Sequence, residues 1–384
     1  MTTTEKSIKS IAPINIAVVK YWGKENEEFN TPLNSSISVT LHVKDMCAET
    51  EVVADSKFKE DKLFLNGREE DIQKNKRVQR CLNMVRSKPT LKRKHNEDAT
   101  PIVRCHITSA NNFPTAAGLA SSAAGYACLA KCLGHVYNYE KDLSVVARLG
   151  SGSACRSMLG GFVKWEKGKC PEGSDSCAVQ IANEHHWPEL KVIILVVSSN
   201  QKSVGSTEGM RRSVTTSQLL KYRAEHCVPG HIDKIEKAIH SKDFPMFAEL
   251  TMKESNQLHA ICQDTYPPLR YMNTTSHDIV NLITKYNAAK LKAAYTFDAG
   301  ANAVLFTLDE FYEELLSTLL KYFPFTNTEI ESWINMPSSQ VKELKTKVSI
   351  YAAELPDVCI HEDALQRIIC TMPGPGASVV VSDE

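Results

Sequence analysis

The chain lacks several features that would decide its class at once. Its 384 residues carry 45 lysines and arginines against 45 aspartates and glutamates, so no excess charge points to nucleic acid or to a membrane surface. No apolar run approaches the roughly 20 residues that a membrane-spanning helix requires, and no internal repeat is present. These absences leave an ordinary globular protein of two or three structural units, because a single core rarely grows beyond roughly 250–300 residues.

Cysteine is plentiful but lacks the spacing of a metal or redox site. Twelve cysteines are present, none of them in a C-x-x-C pair, and most lie in apolar stretches as Cys128 and Cys132 do. We therefore expect reduced, mostly buried thiols and no resident metal site. The adjacent His185 and His186 favour a loop. The N-terminal segment carries only a short apolar run that ends at Lys20, which is not a secretory signal, so we expect a cytoplasmic protein.

Strand patterns dominate the first half of the chain and helix patterns the second. The runs 102–110 and 191–199 predict strands, and the segment 119–137 predicts a helix. Residues 206–289 are largely helical in pattern, and AAYTFDAGANAVLFTL then predicts two strands about a D-A-G-A-N turn. These patterns indicate an α+β protein.

The chain shows two further features of its organisation. The change from strand to helix patterns near residue 190 suggests two lobes, residues 1–188 and residues 189–384. The segment 86–101 is charged, flanked by proline and without period, which predicts a solvated loop; a basic binding patch is the minor alternative.

The stretch SANNFPTAAGLASSAAG, residues 109–125, gathers small side chains where a helix begins. Its order is a strand, a loop that contains Gly118, and a helix whose first turn carries Ser121 and Ser122. Free N–H groups at a helix N-terminus attract phosphate, and a serine hydroxyl can reach a phosphate oxygen or Mg²⁺. Because neither G-x-x-x-x-G-K-[ST] nor G-x-G-x-x-G occurs, phosphate binding and mere close packing both stay open.

Three other segments could carry chemistry. GSGSACRS, residues 150–157, puts glycines, serines and Arg156 at another predicted helix start, and the planar guanidinium suits a carboxylate or a phosphate. NIAVVKYWGK, residues 15–24, ends a short strand in a segment that is either a solvated turn or a charged pocket wall. Asp298 by itself is most simply interpreted as a turn former. It becomes a candidate functional residue only if the fold places it near the other segments.

Taken together, these segments resemble the GHMP superfamily of small-molecule kinases and, within it, the diphosphomevalonate decarboxylase family. PTAAGLASSAA, residues 114–124, is similar to the superfamily's phosphate-binding motif, with Ala120 where the kinases usually carry glycine. APINIAVVKYWGK, SGSACRS and YTFDAGANAV extend the match from about residue 12 to the final strands. The resemblance implies a two-lobed GHMP kinase-like α+β fold with the active site in the cleft between the lobes.

The resemblance also implies a reaction. It is the ATP-dependent decarboxylation of (R)-5-diphosphomevalonate to isopentenyl diphosphate, with ADP, phosphate and CO₂, in the mevalonate pathway of isoprenoid and sterol biosynthesis. Phosphorylation of the tertiary 3-hydroxyl makes it a good leaving group, and loss of phosphate and CO₂ then forms the double bond. ATP and Mg²⁺ are the implied cofactors, and a homodimer is the implied assembly.

Carried over position by position, the resemblance implies three sets of residues. The catalytic set is Asp298, Arg156 and Lys20, and the nucleotide-binding set is Gly118, Ser121 and Ser122. The substrate-binding set is Asn15, Tyr21, Trp22, Gly23, Lys24, Arg77, Ser151, Gly152, Ser153, Ala154, Cys155, Arg156, Ser206 and Thr207. Arg156 and Asn15 are expected at the substrate carboxylate, and Arg77 at the diphosphate. Ala301 departs from the family pattern, because relatives often carry proline there.

Two other functions stay open at this stage. A GHMP kinase of the same pathway would stop after phosphoryl transfer, but Ala120 and the KYWGK and SGSACRS segments speak against it. A non-catalytic metabolite-binding relative would be expected to lack Asp298, Ser122 or Arg156, and all three are present. Release of CO₂ separates the decarboxylase from the kinase.

Overall fold

The computed structural model describes residues 5–87, 103–112, 121–197, 203–326 and 334–380, and these form an α+β fold. The strands are β1 (Lys6–Pro13), β2 (Asn15–Val19), β3 (Lys24–Asn26), β4 (Thr31–Pro32), β5 (Ser36–Thr40), β6 (Cys47–Asp55), β7 (Lys62–Leu65), β8 (Arg68–Glu70), β9 (Arg104–Asn111), β10 (Phe162–Trp165), β11 (Ala178–Ala182), β12 (Leu190–Val196), β13 (Ala293–Phe297), β14 (Ala303–Leu308), β15 (Arg367–Thr371) and β16 (Ser378–Val379).

Helices are concentrated in the second half of the chain. They are α1 (Lys76–Arg86), α2 (Ser121–Val136), α3 (Leu143–Gly150), α4 (Ala154–Ser157), α5 (Ser206–Thr216), α6 (Gln218–Tyr222), α7 (Val228–Ser241), α8 (Phe244–Asp264), α9 (Thr274–Tyr286), α10 (Asp309–Tyr322) and α11 (Ser338–Tyr351), with a π-helical turn at Arg223–Cys227. Among the described residues, no helix combines the length and the apolarity that crossing a bilayer needs.

The largest sheet belongs to the first half of the chain and closes with the final strand. Its order is β16-β1-β6-β9-β7-β8, and its neighbours are antiparallel except for the parallel pair β7 and β9. Helix α2 buries Ala123, Ala127 and Ala130 completely in the main core. Small side chains there let the helix lie close to its neighbours. Close packing therefore accounts for the alanines of α2.

A second sheet carries the segment that precedes the candidate site. Its order is β11-β10-β5-β2, and all of its pairs are antiparallel. Strand β2 ends at Val19, so Lys20 is the first residue beyond the sheet. The short hairpin of β3 and β4 follows directly. This arrangement brings the KYWGK segment to the edge of the first half of the molecule.

The sheet of the second half, β13-β14-β12-β15, separates two apolar cores. Successive side chains of a strand point to opposite faces, so Val192 and Ile194 join the main core while Ile193 and Leu195 join the second. The second core is completed by helices α9, α10 and α11. Because the main core also contains β1, β6 and α2, apolar packing connects the two halves of the chain.

Most of the sequence-based elements are confirmed. The strands at 102–110 and 191–199 are β9 and β12, the helix at 119–137 is α2, and the D-A-G-A-N turn joins β13 to β14. His185 and His186 lie outside any helix or strand. All twelve cysteines are free and seven of them are buried.

Two parts of the sequence-based account need correction. Helices α1 and α11 were not predicted. The predicted loop at 86–101 is wrong at its first residue, because Arg86 is the last residue of α1. Its guanidinium donates two hydrogen bonds to Asp61, at 2.8 and 2.7 Å, and is therefore not solvated. Residues 88–101 of that segment lie outside the described residues.

Candidate active site

The centre of the candidate site is an ion pair between the two halves of the chain. The Nζ atom of Lys20 lies 2.6 Å from Oδ1 of Asp298, although 278 positions separate the residues. The lysine side chain is 1% exposed and that of the aspartate is 37% exposed. A lysine this deeply buried needs a charge partner. The fold therefore returns Asp298 to the KYWGK segment, with part of its carboxylate open to solvent.

Hydrogen bonds hold the turn that carries Asp298. The carbonyl of Asp298 accepts from the amide of Gly300 at 2.7 Å, and the side chain of Asn302 accepts from the amide of Val197 at 2.8 Å. The carbonyl of Ala301 accepts from the Ser276 hydroxyl at 2.8 Å. These bonds hold the turn with alanine at position 301.

Arg156 lies close to this pair and is almost completely buried. Its Nε donates to Oδ1 of Asn15 at 3.2 Å and its Nη1 to the hydroxyl of Ser36 at 2.6 Å. Burial lowers the pKa of Arg156, and the negative charge of Asp298 acts in the opposite direction. Within the described ranges no carboxylate forms an ion pair with this guanidinium. A buried guanidinium that lacks a carboxylate partner favours the binding of an anionic ligand.

Tyr21 places a buried hydroxyl beside Arg156. Its ring lies 4.7 Å from that of Trp165, and its buried hydroxyl has no hydrogen-bond partner in the described part of the chain. Burial raises the pKa of Tyr21 well above its usual value, so the hydroxyl is protonated and can donate. A Cβ on Gly152 would come within 2.8 Å of the Trp165 ring and 3.0 Å of the Tyr21 hydroxyl. Glycine at 152 therefore keeps this space open.

The rest of the SGSAC segment is the wall behind these groups. Ala154 and Cys155 are fully buried in the short helix α4. The thiol of Cys155 donates to the Gly152 carbonyl at 3.1 Å, and the Ser153 carbonyl accepts from the Asn15 amide at 3.0 Å. The predicted helix start at 150–157 is thus confirmed as α4, while direct substrate contacts by Ser153, Ala154 and Cys155 stay predictions.

Lys24 and Arg77 form a separate positive region. Nη2 of Arg77 donates to the hydroxyl of Thr207 at 2.8 Å. Burial lowers the pKa of Lys24 to about 8, with further lowering by Arg77 and smaller effects from Arg80 and Arg211; only Glu27 opposes them. Residues Ser206 and Thr207 begin helix α5, whose N-terminus adds partial positive charge. The positive charge of this region therefore favours the binding of an anion.

Trp22 and Gly23 separate the two lysines. Trp22 is 3% exposed and its indole N–H donates to Ser213 in α5 at 2.9 Å. Gly23 adopts φ +92°, and a Cβ there would lie 2.6 Å from the Leu33 side chain. The buried indole and the left-handed glycine fix the path of the segment. Direct contact of either residue with a substrate stays a prediction.

The nucleotide-binding prediction is only partly within the described structure. Ser122 is exposed in the first turn of α2, and its hydroxyl lies 3.2 Å from that of Ser151. Gly118 lies outside the described residues, and for Ser121 only its place at the start of α2 is described. A cavity of about 200 Å³ adjoins Ser122 and is lined on other sides by apolar residues of β7 and β9 and by Asn66, Asn75 and Tyr126.

Sequence analysis missed three residues of the network around Lys20, namely Arg223, His231 and Glu254. Glu254 is 0% exposed and lies on the buried face of α8, three residues after Thr251 and four before Leu258. A carboxylate within a helical apolar stripe was the available signal. The chain offers no comparable signal for Arg223, which lies in the π-helical turn. In the described part, no cluster of His, Cys, Asp or Glu suits a metal ion.

Family models match nearly the whole chain. The diphosphomevalonate decarboxylase-like N-terminal domain matches residues 12–178, and the mevalonate 5-diphosphate decarboxylase C-terminal domain matches residues 192–380. The human diphosphomevalonate decarboxylase is 47% identical and covers 98% of this chain and 95% of the relative. That of Rattus norvegicus is 48% identical, over 96% of this chain and 92% of the relative.

Solved structures agree with this assignment. The mevalonate diphosphate decarboxylase of Trypanosoma brucei superposes with a TM-score of 0.88 at 38% identity, over 99% of both chains. A structure described as MDDEF in complex with MVAPP, AMPPCP and magnesium has a TM-score of 0.75 at 30% identity, over 99% of this chain and 100% of that one. The fold is thus the GHMP kinase-like α+β fold, and the chain belongs to the diphosphomevalonate decarboxylase family.

Proposed function

We propose that this chain catalyses the ATP-dependent decarboxylation of (R)-5-diphosphomevalonate to isopentenyl diphosphate, and that the residues around Lys20 and Asp298 carry the reaction. The observation that supports it is the distribution of charge. Among the described residues, Arg156 forms no ion pair with a carboxylate and the Tyr21 hydroxyl has no hydrogen-bond partner, and the pKa of Lys24 is lowered by neighbouring arginines against Glu27. A substrate with a carboxylate at one end and a diphosphate at the other complements this distribution.

Each end of the substrate has its own candidate residues. The carboxylate would be bound by Arg156 and the Tyr21 hydroxyl, with Asn15 and Ser36 orienting the guanidinium. The diphosphate would be bound by Lys24 and Arg77 together with the first turn of α5, residues Ser206 and Thr207. Charge-assisted hydrogen bonds of this kind are about twice as strong as neutral ones. The tertiary hydroxyl would then lie between these two ends.

Asp298 is the group suited to act on that hydroxyl. Its partly exposed carboxylate can accept the hydroxyl proton while the oxygen attacks the terminal phosphorus of ATP and the bond from that phosphorus to the bridging oxygen breaks, with ADP leaving with the electron pair. General-base help of this type contributes roughly 10²–10⁴-fold. Lys20 supplies the adjacent positive charge. The C–O bond to the new phosphate then breaks, the C–C bond to the carboxylate breaks with release of CO₂, and its electron pair forms the double bond.

The nucleotide has candidate positions at the start of α2. Its phosphates would lie by Ser122 and Ser151, whose hydroxyls face each other, and the adjoining cavity with its amides and apolar walls suits a flat heteroaromatic base. Hydroxyl oxygens are ligands that Mg²⁺ accepts, so Ser122 would complete a site formed mainly by the phosphates. Mg²⁺ neutralises phosphate charge when it is bound there.

Product analysis tests the proposed function. With ATP, Mg²⁺ and diphosphomevalonate we expect equal amounts of ADP, phosphate, CO₂ and isopentenyl diphosphate. ADP without CO₂ would indicate a kinase that stops after phosphoryl transfer. Neither product, from a folded protein that binds the substrate, would indicate a binding protein.

Three further statements about the whole molecule are proposals. We propose lobes at residues 1–188 and 189–384, which the family-model limits at 178 and 192 support. Limited proteolysis that cuts near residue 189 would agree with that division. We also propose a homodimer and a cytoplasmic location, which sedimentation analysis and cell fractionation test.

A further inference from the structure

The main chain of Lys20 is held by side chains and not by the sheet. Strand β2 ends one residue earlier, so the amide and carbonyl of Lys20 have left the strand ladder. The Lys20 amide donates to Oε2 of Glu254 at 2.7 Å. Its carbonyl accepts from Nη2 of Arg223 and from Nδ2 of Asn34, each at 3.1 Å. Buried main-chain groups need partners, and here the second half of the chain supplies most of them.

Glu254 is the centre of this network. The same Oε2 that binds the Lys20 amide also accepts from Nη2 of Arg223, and Oε1 contacts Nδ1 of His231 at 2.5 Å. Burial acts to raise the pKa of Glu254, but Arg223 and His231 hold it below its usual value, so the carboxylate is ionised. An ionised carboxylate can only accept hydrogen bonds, so Nδ1 of His231 carries the hydrogen.

We infer that Glu254, Arg223 and His231 form a positioning group, the Lys20 clamp, which sets the position of the Lys20 ammonium against Asp298 and so controls the rate of the chemical step. The inference rests on the proposed roles of Lys20 and Asp298. The clamp residues come from three successive elements, the π-helical turn, α7 and α8.

The chemistry of the clamp favours positioning over stability alone. A buried ion pair is often no more stabilising than apolar residues of the same volume, because each charge loses its hydration. Here Glu254 and Arg223 are 0% and 3% exposed and both contact the main chain of Lys20. Directional bonds to both sides of one peptide residue fix its orientation, which apolar packing does not do.

The test compares two buried carboxylates. Glu254→Gln removes the charge at the clamp, and the matched control Asp61→Asn removes a carboxylate that is 4% exposed and paired with Arg86 far from the site. We expect Glu254→Gln to lower kcat about 10- to 100-fold, as small displacements of reacting groups do, with KM for ATP little changed. Asp61→Asn should lower thermal stability, because it removes the charge that pairs with Arg86. It should leave kcat within about twofold, because Asp61 does not contact Lys20 or Asp298. Equal kcat values for Glu254→Gln and the native enzyme would overturn the inference.

A double-mutant cycle separates this inference from the proposed function. If the clamp acts through Lys20, Glu254→Gln should lower kcat no further in a Lys20→Met background. A full additional loss in that background would overturn the clamp while the role of Lys20 stands. A native kcat for Lys20→Met alone would contradict the role of Lys20 and the clamp with it, whereas product analysis of the native enzyme would still decide the overall reaction.

His231 provides a second route if Glu254→Gln does not fold. Its side chain is 16% exposed, so substitution disturbs the core less. His231→Ala removes the donor to Glu254, and His231→Asn places an amide donor near the position of Nδ1. We expect kcat to fall about tenfold in the alanine variant, the lower end of the effect of one hydrogen bond to a charged group, and to recover in the asparagine variant. Equal kcat in alanine, asparagine and native enzymes would overturn the inference.

Discussion

Lys20 and Lys24 lie four residues apart, yet their surroundings are opposite. Lys20 is 1% exposed and has a carboxylate partner, Asp298, at 2.6 Å. Lys24 is only partly buried, but burial and three neighbouring arginines lower its pKa to about 8 against the single opposing Glu27. Between them, Trp22 and Gly23 turn the chain so that each lysine faces a different region.

The difference shows which cations have an ion-pair partner within the protein and which lack one and so favour an anionic ligand. A buried cation beside a carboxylate has its counter-charge within the protein, whereas a cation among cations gains most when an anion binds. Lys20 is therefore suited to act together with Asp298, which is part of the same chain. Lys24, like Arg156, is suited to bind a negative group that the substrate brings.

The largest expected effect comes from removing the carboxylate beside Lys20. Asp298→Asn keeps the size and turn tendency of the residue but removes its charge. We expect kcat to fall about 10²- to 10⁴-fold, because the hydroxyl proton loses its acceptor. CO₂ release measures the rate, and thermal melting and ATP binding serve as controls. Near-native turnover in a folded variant would show that Asp298 only shapes the turn.

Arg156→Lys tests whether charge alone suffices at the carboxylate end. Lysine keeps the charge but loses the fork that now bonds Asn15 and Ser36. We expect kcat/KM for diphosphomevalonate to fall about 10- to 100-fold, the range of a lost charge-assisted hydrogen bond. Steady-state kinetics at fixed saturating ATP give the value. If the lysine variant matches the native enzyme, Arg156 acts only as a distant charge.

Lys24→Met sharpens the comparison from the other side. Removing one cation from the proposed diphosphate site should raise KM for diphosphomevalonate about tenfold, the equivalent of 1.4 kcal/mol, and change kcat much less. The matched control is Lys167→Met, which removes a partly exposed lysine paired with Glu25. A similar KM in both variants would remove Lys24 from the binding site.

The smallest expected effect concerns Ser122. Its hydroxyl is exposed and contributes little to the core, so Ser122→Ala should leave the melting temperature unchanged. We expect ATP affinity to fall about three- to tenfold, as for one lost hydrogen bond. Titration with an ATP analogue measures this. Native ATP affinity together with native turnover would count against phosphate binding at this helix start.

Local sequence patterns predicted much of the fold. Helix α2 and the hairpin of β13 and β14 follow from period and turn chemistry, which act between near neighbours. Helix α1 was missed because its charged residues obscure a buried stripe that includes Val78, Leu82 and Val85. A single short apolar face of this kind is stabilised by tertiary packing, here against helices α3 and α2, and not by local preference.

The site was less predictable than the fold. Motif resemblance selected Lys20, Arg156 and Asp298, but only the tertiary structure brings residues 278 positions apart into contact. The clamp residues Arg223 and Glu254 lack any motif, since their role depends on reaching the Lys20 main chain from other elements. Their contribution depends on how the tertiary structure places them beside Lys20, and the residues adjacent to them in sequence do not predict that placement.

Proton uptake on substrate binding tests the central contrast most directly. With a pKa of about 8, Lys24 is half neutral in the free enzyme at pH 8, and a bound diphosphate should raise that pKa and return the proton. Calorimetric titration of diphosphomevalonate in buffers of different ionisation enthalpy counts the protons taken up. We predict about half a proton per site more for the native enzyme than for Lys24→Arg at pH 8, and no difference at about pH 6. Equal uptake by both proteins at pH 8 would contradict the account.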